Sequence, residues 1–310
     1  MDNRVAKQKG SALLTALFIM TLVAITATAM STRLRLDIYR TQLTIKSDKL
    51  YLASQAVTFW SMDKLSQKEF EHPLPKITHY PERYQTLYPS VEATGELIDL
   101  QSKFNINNIE DRFYANVFKK LIENLVPKMS SKERIQLVYA TRSWIGKYRP
   151  GRGKDKLFNF YLSQKPSYVP SHQPLKSISE FRLIRDVNAI LYETLEPYLI
   201  ALPGRTPINI RTASTPILSV MGKGLSESDI DELLSTVKDD GTFDKQKIRD
   251  AVQKLDIPME QITTESQFYL SKAVVKSGDL TLTNYTLLNR AKDLKGNVHV
   301  TIEIESLNTL

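Results

Sequence analysis

His72, His79, His172 and His299 are the residues whose chemistry would matter most, because a neutral imidazole ligates metals and moves protons near pH 7. No two stand at ligand spacing, and no Gly-rich phosphate loop follows a strand. Cysteine is absent, which excludes disulfides and thiol catalysis and fits no compartment uniquely. "KDDGTFD" (238–244) gathers carboxylates without a complete metal-loop spacing and reads as a solvated turn. "SVMGKGLSES" (219–228) has a Gly-x-Gly turn whose amides could hold a phosphate, but a structural turn is the favoured reading. "FNINN" and "PINIRTA" concentrate Asn105, Asn107, Asn209 and Thr212, which read as side chains tying loop backbone rather than holding a ligand. No catalytic constellation stands out, so the chain is not read as an enzyme.

The elements that carry these residues begin with an apolar run from Ser11 to Met30 that has no charged residue. At about 1.5 Å per residue it spans roughly 30 Å, the thickness of a bilayer core. Arg4, Lys7 and Lys9 precede it, which places the N-terminus in the cytoplasm under the positive-inside rule. Three readings compete. "TATAMS" could end a cleaved secretory signal, the run could be a plain signal anchor, or cleavage could come before it, after Gly10. The formal charge is +8; Asp2, Arg4, Lys7 and Lys9 sum to +2, leaving +6 on the rest. That is mild for the length and does not signal nucleic-acid binding. The chain after the run is longer than one core requires, so at least two domains are expected.

Beyond Met30 an amphipathic stripe continues without proline to the region before Pro73, predicting one long helix over roughly 11–69. Leu34, Ile38, Ile45, Ala53, Val57 and Trp60 form a stripe expected to pack on partner helices. Residues 72–90, with four prolines, read as an irregular crossing. Residues 91–109 predict a short β-pair turning at Ser102-Lys103. Helical patterns return from Asp111 to Leu202, with Ser131 and either Ser177 or Ser179 as N-caps. Residues 202–237 read as an extended piece, helix, Gly-rich turn and helix. Residues 265–307 alternate, giving three strands with turns at Ser277-Gly278 and Lys295-Gly296. The simplest topology is α+β: one antiparallel sheet packed on the long helix, with the helical block inserted between strands.

A basic leader ending in glycine before a long apolar helix resembles the type IV prepilin class. That resemblance implies cleavage between Gly10 and Ser11 by a prepilin peptidase on the cytoplasmic face, and N-methylation of Ser11. The class usually has glutamate at the fifth mature position; here it is Thr15. A carboxylate in a bilayer needs a partner, in this class the amine of the subunit above. Threonine can instead bond a carbonyl of the preceding turn, so its presence favours a tip position.

"ELIDLQSKFNINNI", "SWI", "SISEFRLI", "ALPGRTPINIRTASTPIL" and "QFYL…LLNR" together resemble the minor pseudopilin K family of type II secretion. The motif residues are Asp99, Phe104, Asn105, Asn107 and Asn108, then Asn209, Thr212 and Ala213, then Phe268, Tyr269 and Arg290. The resemblance implies a pilin-like fold, with a long transmembrane and amphipathic N-terminal helix on an antiparallel sheet and a large helical domain inserted between strands. The expected division is a leader 1–10, a transmembrane part 11–30, a first pilin-like part 31–109, an inserted domain 110–262 and C-terminal strands 263–310. The inserted domain resembles SAM-like and helix-hairpin-helix folds, which the family uses structurally. The implied function is starting and capping a short periplasmic pseudopilus for export of folded proteins. The implied partners are minor pseudopilins of the I and J families and the inner-membrane assembly platform, with the outer-membrane secretin and secreted substrates as further contacts. A type IV pilus tip and a generic membrane-anchored binding domain are the alternatives. The family also implies calcium, held by acidic residues around the tryptophan. Here Ser143, Gly146 and Lys147 flank Trp144, cations crowd the loop and Asp155 is its one carboxylate, so the site is expected to be absent or reduced.

Overall fold

The computed structural model describes residues 5–67, 74–86, 89–147 and 156–309. One helix, α1 (Val5–Ser66), runs unbroken from before the apolar run to the sheet. The absence of proline and glycine beyond Gly10 lets it continue, and Arg290 closes it. The Arg290 side chain is buried; its Nε donates to the Leu65 carbonyl at 2.9 Å and its Nη2 to that of Gln67 at 3.0 Å. A cation is favoured there because the last carbonyls are unpaired and lie at the negative end of the helix dipole.

Five antiparallel strands form the sheet on which α1 lies, in the order β1 (Ile77–His79), β2 (Glu92–Asp99), β7 (Phe268–Ser277), β8 (Leu280–Lys292) and β9 (Val298–Leu307). Gly278, at φ +57°, turns the β7–β8 hairpin. The sheet is thus built from both ends of the chain, with everything between Asp99 and Phe268 looped out of it. Two differences from the sequence-based expectation appear here. β2 does not pair with the segment that directly follows Ser102. Asp99 accepts from the Gln101 amide and starts a 3₁₀ turn at Leu100–Ser102, which carries the chain away. Its neighbours are instead β7 and β1, the latter from the proline-rich segment expected to be irregular; alternation in β2 marks a strand but not which segment pairs with it.

The looped-out block has β3 (Phe104–Asn105) paired in parallel with β4 (Leu199–Ile200), and β5 (Ile208–Asn209) paired in parallel with β6 (Ile262–Thr263). Around these short ladders pack α2 (Arg112–Leu125), α3 (Ser131–Ile145), α4 (Lys156–Leu162), α5 (Ala189–Leu195), α6 (Thr215–Leu218), α7 (Glu227–Leu234) and α8 (Lys245–Leu255). One continuous core unites them, with Phe104 stacked on Phe118 at 5.8 Å and Leu137, Trp144, Phe181, Leu218 and Ile248 buried around them. Phe104, Ile106 and Ile109 belong to this core, so the block's packing begins before residue 110. Helix α3 is capped by Ser130, not Ser131: Ser130 Oγ accepts from the Glu133 amide while the Glu133 carboxylate accepts from the Ser130 amide. Ser177 makes the same box with Glu180.

Which end of the sheet carries the block follows from the register. Leu50, Ala53 and Val57 pack on Val91, Ala93, Ala273 and Val275, whereas Leu65, one end further along, meets Leu97, Tyr269 and Leu288. Asp99 and Phe268, where the chain leaves and re-enters the sheet, are therefore at the C-terminal end of α1. From Met30 to Leu65 the helix rises about 50 Å, so the block stands far from the apolar run.

Candidate functional site: a projecting helix and the junction that holds the block

Helix α1 has two halves. From Ser11 to Lys49 it is exposed, apart from half-buried Leu43, and it carries a span long and apolar enough to cross a membrane, with mean hydropathy 2.2. All seven threonines in this half, Thr15, Thr21, Thr26, Thr28, Thr32, Thr41 and Thr44, return their hydroxyls to carbonyls three or four residues back. Hydroxyls satisfied within the helix can enter hydrocarbon, where an unpaired polar group costs several kcal/mol. Thr15 Oγ1 donates to the Ser11 carbonyl at 2.9 Å, so its polar atom is used locally. Gly10 and Ser11 lie on the uninterrupted helix.

From Leu50 onward the same helix is bound to its own sheet. This changes the reading of the partner stripe. Leu34, Ile38 and Ile45 are exposed, but Ala53 and Val57 are fully buried against the sheet, and Trp60 packs edge-on against Tyr80 at 5.4 Å. Periodicity fixes the face of a helix but not whether it meets its own chain or another's. Close approach depends on Gly95, where a Cβ would stand 2.3 Å from Val57 Cγ1 and 3.1 Å from the Lys272 carbonyl. A polar seam completes the contact: Asn284 Nδ2 donates to Ser54 Oγ at 3.2 Å, and Ser61 Oγ lies 2.9 Å from Ser271 Oγ.

The junction is organised by Asp99, a buried carboxylate at the last position of β2. Its Oδ2 accepts from Asn209 Nδ2 at 2.9 Å and Thr212 Oγ1 at 2.6 Å, and its Oδ1 from the Gln101 amide at 2.9 Å. Asn209 Nδ2 also donates to Ser266 Oγ at 3.0 Å, so the departing strand, the middle of the block and the returning strand meet at one point. Burial raises the Asp99 pKa above its ordinary value, against the opposing pull of hydrogen bonds from Thr212, Ser266, Gln101 and Asn209. Gln101 adds a second clasp, donating to the Pro207 carbonyl at 2.9 Å and accepting from the Gln267 and Phe268 amides. Asn105 accepts from the Leu202 amide at 3.1 Å and donates to Thr206 Oγ1 at 2.9 Å. Asn107 donates to the Leu175 and Leu202 carbonyls, both at 2.9 Å, and accepts from the Leu175 amide. These asparagines spend their amides on backbone, which leaves no open donor set for a ligand.

Asp99, Gln101 and Arg290 carry this geometry, yet residue types alone did not mark them as structural centres. A signal existed for Asp99. Leu97 and Asp99 share strand parity, so the pattern that buries the leucine also buries the carboxylate.

The other candidates stay apart. His79 lies 3.8 Å from Glu96, His299 3.6 Å from Asp293, and His172 Nδ1 3.1 Å from the Gly146 carbonyl, on separate elements; His72 lies outside the described residues. In the Gly-x-Gly turn, a Cβ on Gly222 would sit 2.2 Å from the Leu255 carbonyl, and Lys120 Nζ donates to the Gly222 carbonyl at 2.8 Å. Glu227 and Asp229 in the first turn of α7 make that helix start a poor phosphate site. In "KDDGTFD", Asp240 accepts from Thr242 and Asp244 caps α8. The calcium that the resemblance implies would lie at the end of α3, beside residues 148–155, which are outside the described residues. Ser171 Oγ donates to the Trp144 carbonyl at 3.4 Å, His172 faces the Gly146 carbonyl, and Lys147 adds a cation. Asp155 lies outside the described residues. Among the described residues no group of three or more His, Asp or Glu side chains is placed to hold a metal.

Comparison with known proteins agrees with this architecture. The family profile for the type II secretion system (T2SS) protein K matches residues 102–204. Type II secretion system protein K of Aeromonas hydrophila is 25% identical over 324 aligned positions, which cover 93% of this chain and 95% of that protein. The protein of the same name from Klebsiella pneumoniae is 29% identical over 221 positions, 66% of this chain and 67% of its own length. Among solved structures, a chain of the GspK-GspI-GspJ complex from the type 2 secretion system of enterotoxigenic Escherichia coli superposes with a TM-score of 0.65 at 18% identity, covering 87% of this chain and all of the other. A shared fold, a profile match on residues 102–204 and relatives of one name aligned over most of the chain converge: the chain is similar to the type II secretion system protein K family.

Proposed function

We propose that this minor pseudopilin ends the pseudopilus, starting its assembly and capping it, so that folded periplasmic proteins are driven across the outer membrane. The observation that carries the reading is the position of the helical block, at the end of the sheet about 50 Å along α1 from the apolar run. Pilin-like subunits stack by repeated heterologous contacts, which build open helical filaments. A block on the far end of a subunit occupies the space that the next subunit would need. Thr15 supports the same place in the filament, since a terminal subunit has no amine above it for an acid to neutralise.

In this reading Ser11 becomes the mature N-terminus after cleavage at Gly10 by the prepilin peptidase on the cytoplasmic side. The apolar part of α1 holds the chain in the inner membrane until assembly, with the sheet and block in the periplasm. Leu34, Ile38 and Ile45 then meet the helices of companion minor pseudopilins, by analogy with the solved relative, which was crystallised with GspI and GspJ. The chain works by packing and carries no catalytic step.

Mass spectrometry of the membrane-extracted protein tests this directly. The expected result is a chain starting at a methylated Ser11, and a bulky residue at Gly10 blocks processing. Cleavage after Ala29 or Ser31, or normal processing of the Gly10 variant, would overturn it.

A further inference from the structure

Residues 112–147 carry eight lysines and arginines against two carboxylates, Glu123 and Glu133. Both acids are exposed and already engaged by neighbours within the fold. Glu123 pairs with Arg134 at 2.6 Å, and Glu133 closes the capping box of α3 with Ser130. Just upstream, Asp111 caps α2 and pairs with Arg205 at 3.3 Å, and Glu110 lies at the C-terminal end of α3, where its carbonyl accepts from Arg142 Nη2 at 2.9 Å. Lys128 and Lys132, by contrast, are exposed and enter no ion pair with a described residue.

The solvent face of α3 orders these charges around apolar side chains. Lys132, Ile135, Tyr139 and Arg142 follow at spacings of three and four, so they form one stripe. Ile135 is 53% exposed and Tyr139 64% exposed, although the same helix buries Leu137, Ala140, Trp144 and Ile145 on its other side. Two large apolar groups held between cations gain nothing from water and are poised to be covered.

We propose that this face of α3 docks an acidic protein segment whose apolar side chains cover Ile135 and Tyr139 while its carboxylates meet Lys128, Lys132 and Arg142. Charge complementarity sets the sign of the partner, and the apolar centre sets its kind. A membrane surface needs a wide apolar face to enter, and α3 offers two side chains at about 50 Å of helix from the anchor. A nucleic-acid backbone would be met by cations along the whole stripe, whereas Ile135 at its centre offers no charge. The proposal does not depend on where the chain stands in a filament.

The test uses the full chain in detergent and a fluorescein-labelled peptide of glutamate with leucine every third or fourth position, read by anisotropy. The expected result is saturable binding that weakens at least tenfold in Ile135→Ser/Tyr139→Ser and in Lys128→Glu/Lys132→Glu. Ile190→Ser, at a still more exposed apolar site on α5, leaves it unchanged. A counterpart peptide with glutamine for glutamate binds at least tenfold more weakly. Thermal melts of all variants match the wild type, because the changed side chains are exposed. No binding to the wild-type chain, equal binding by the double variants, or peptide binding abolished by phosphatidylglycerol vesicles or duplex DNA in competition would overturn the proposal.

Discussion

The two halves of α1 have similar helix-forming sequences and opposite fates. From Ser11 to Lys49 the helix is exposed apart from half-buried Leu43, and its threonine hydroxyls are satisfied by its own backbone. From Leu50 to Ser66 it is pressed onto the sheet, with small residues and a polar seam at the contact. The difference shows that solvent, not helix propensity, decides which half is ready for a bilayer or a partner helix. A helix meant for hydrocarbon must close every hydroxyl on itself, whereas a helix on a sheet can share hydroxyls with its neighbour.

Gly95→Val should break the bound half most severely. Its side chain cannot coexist with Val57, and loss of about 3 kcal/mol or more is expected from overpacking against backbone. Urea unfolding of the detergent-extracted chain measures it, and a near-wild-type midpoint would deny that close approach holds α1 to the sheet. Val57→Ala should cost about 2 kcal/mol through lost burial and a cavity, while Ile38→Ala in the free half should change stability by less than about 0.5 kcal/mol. The same Ile38 change should weaken co-purification with companion pseudopilins. Equal destabilisation by both would erase the distinction between the halves.

Asp99→Asn sharpens the comparison at the far end of the sheet. Three donors converge on the carboxylate, and an amide would turn an NH₂ towards at least one of them, at about 1–3 kcal/mol. Because burial raises the Asp99 pKa on folding, its contribution is fully present below the ordinary value of 3.8 and is lost as pH rises through the folded value. Melts against wild type should therefore show a larger penalty for the variant near pH 4 than at pH 7, and the reverse order would contradict the desolvated carboxylate. The smallest effect on folding is expected for Thr15→Glu, in the free half. Its melt should match wild type, but secretion should fall because a terminal subunit cannot pair the acid; unchanged secretion would remove support from the charge argument.

Much of this architecture was legible in the chain. The continuous helix, the three C-terminal strands and the insertion of the block into one sheet follow from periodicity, turn residues and the rule that a lone strand needs neighbours. The identity of β1 was not legible, because "KITH" sits among prolines and gains its strand conformation only from pairing with β2. The start of the block was also hidden. "FNINNI" alternates like a strand continuation, but the Asp99 turn sends Phe104 and Ile106 into a different core.

Local sequence was enough for the apolar span, the apolar face that includes Leu34, Ile38 and Ile45, and the hydroxyls that a helix can close on itself, since these depend on residues within one or two turns of each other. Only the tertiary structure decided that Ala53, Val57 and Trp60 belong to the chain's own sheet, that Asp99 gathers three distant segments, and that the block stands at the far end of α1. The Asp99 contacts join residues more than a hundred positions apart, and nothing local in the chain records which distant surface will remove a side chain from water.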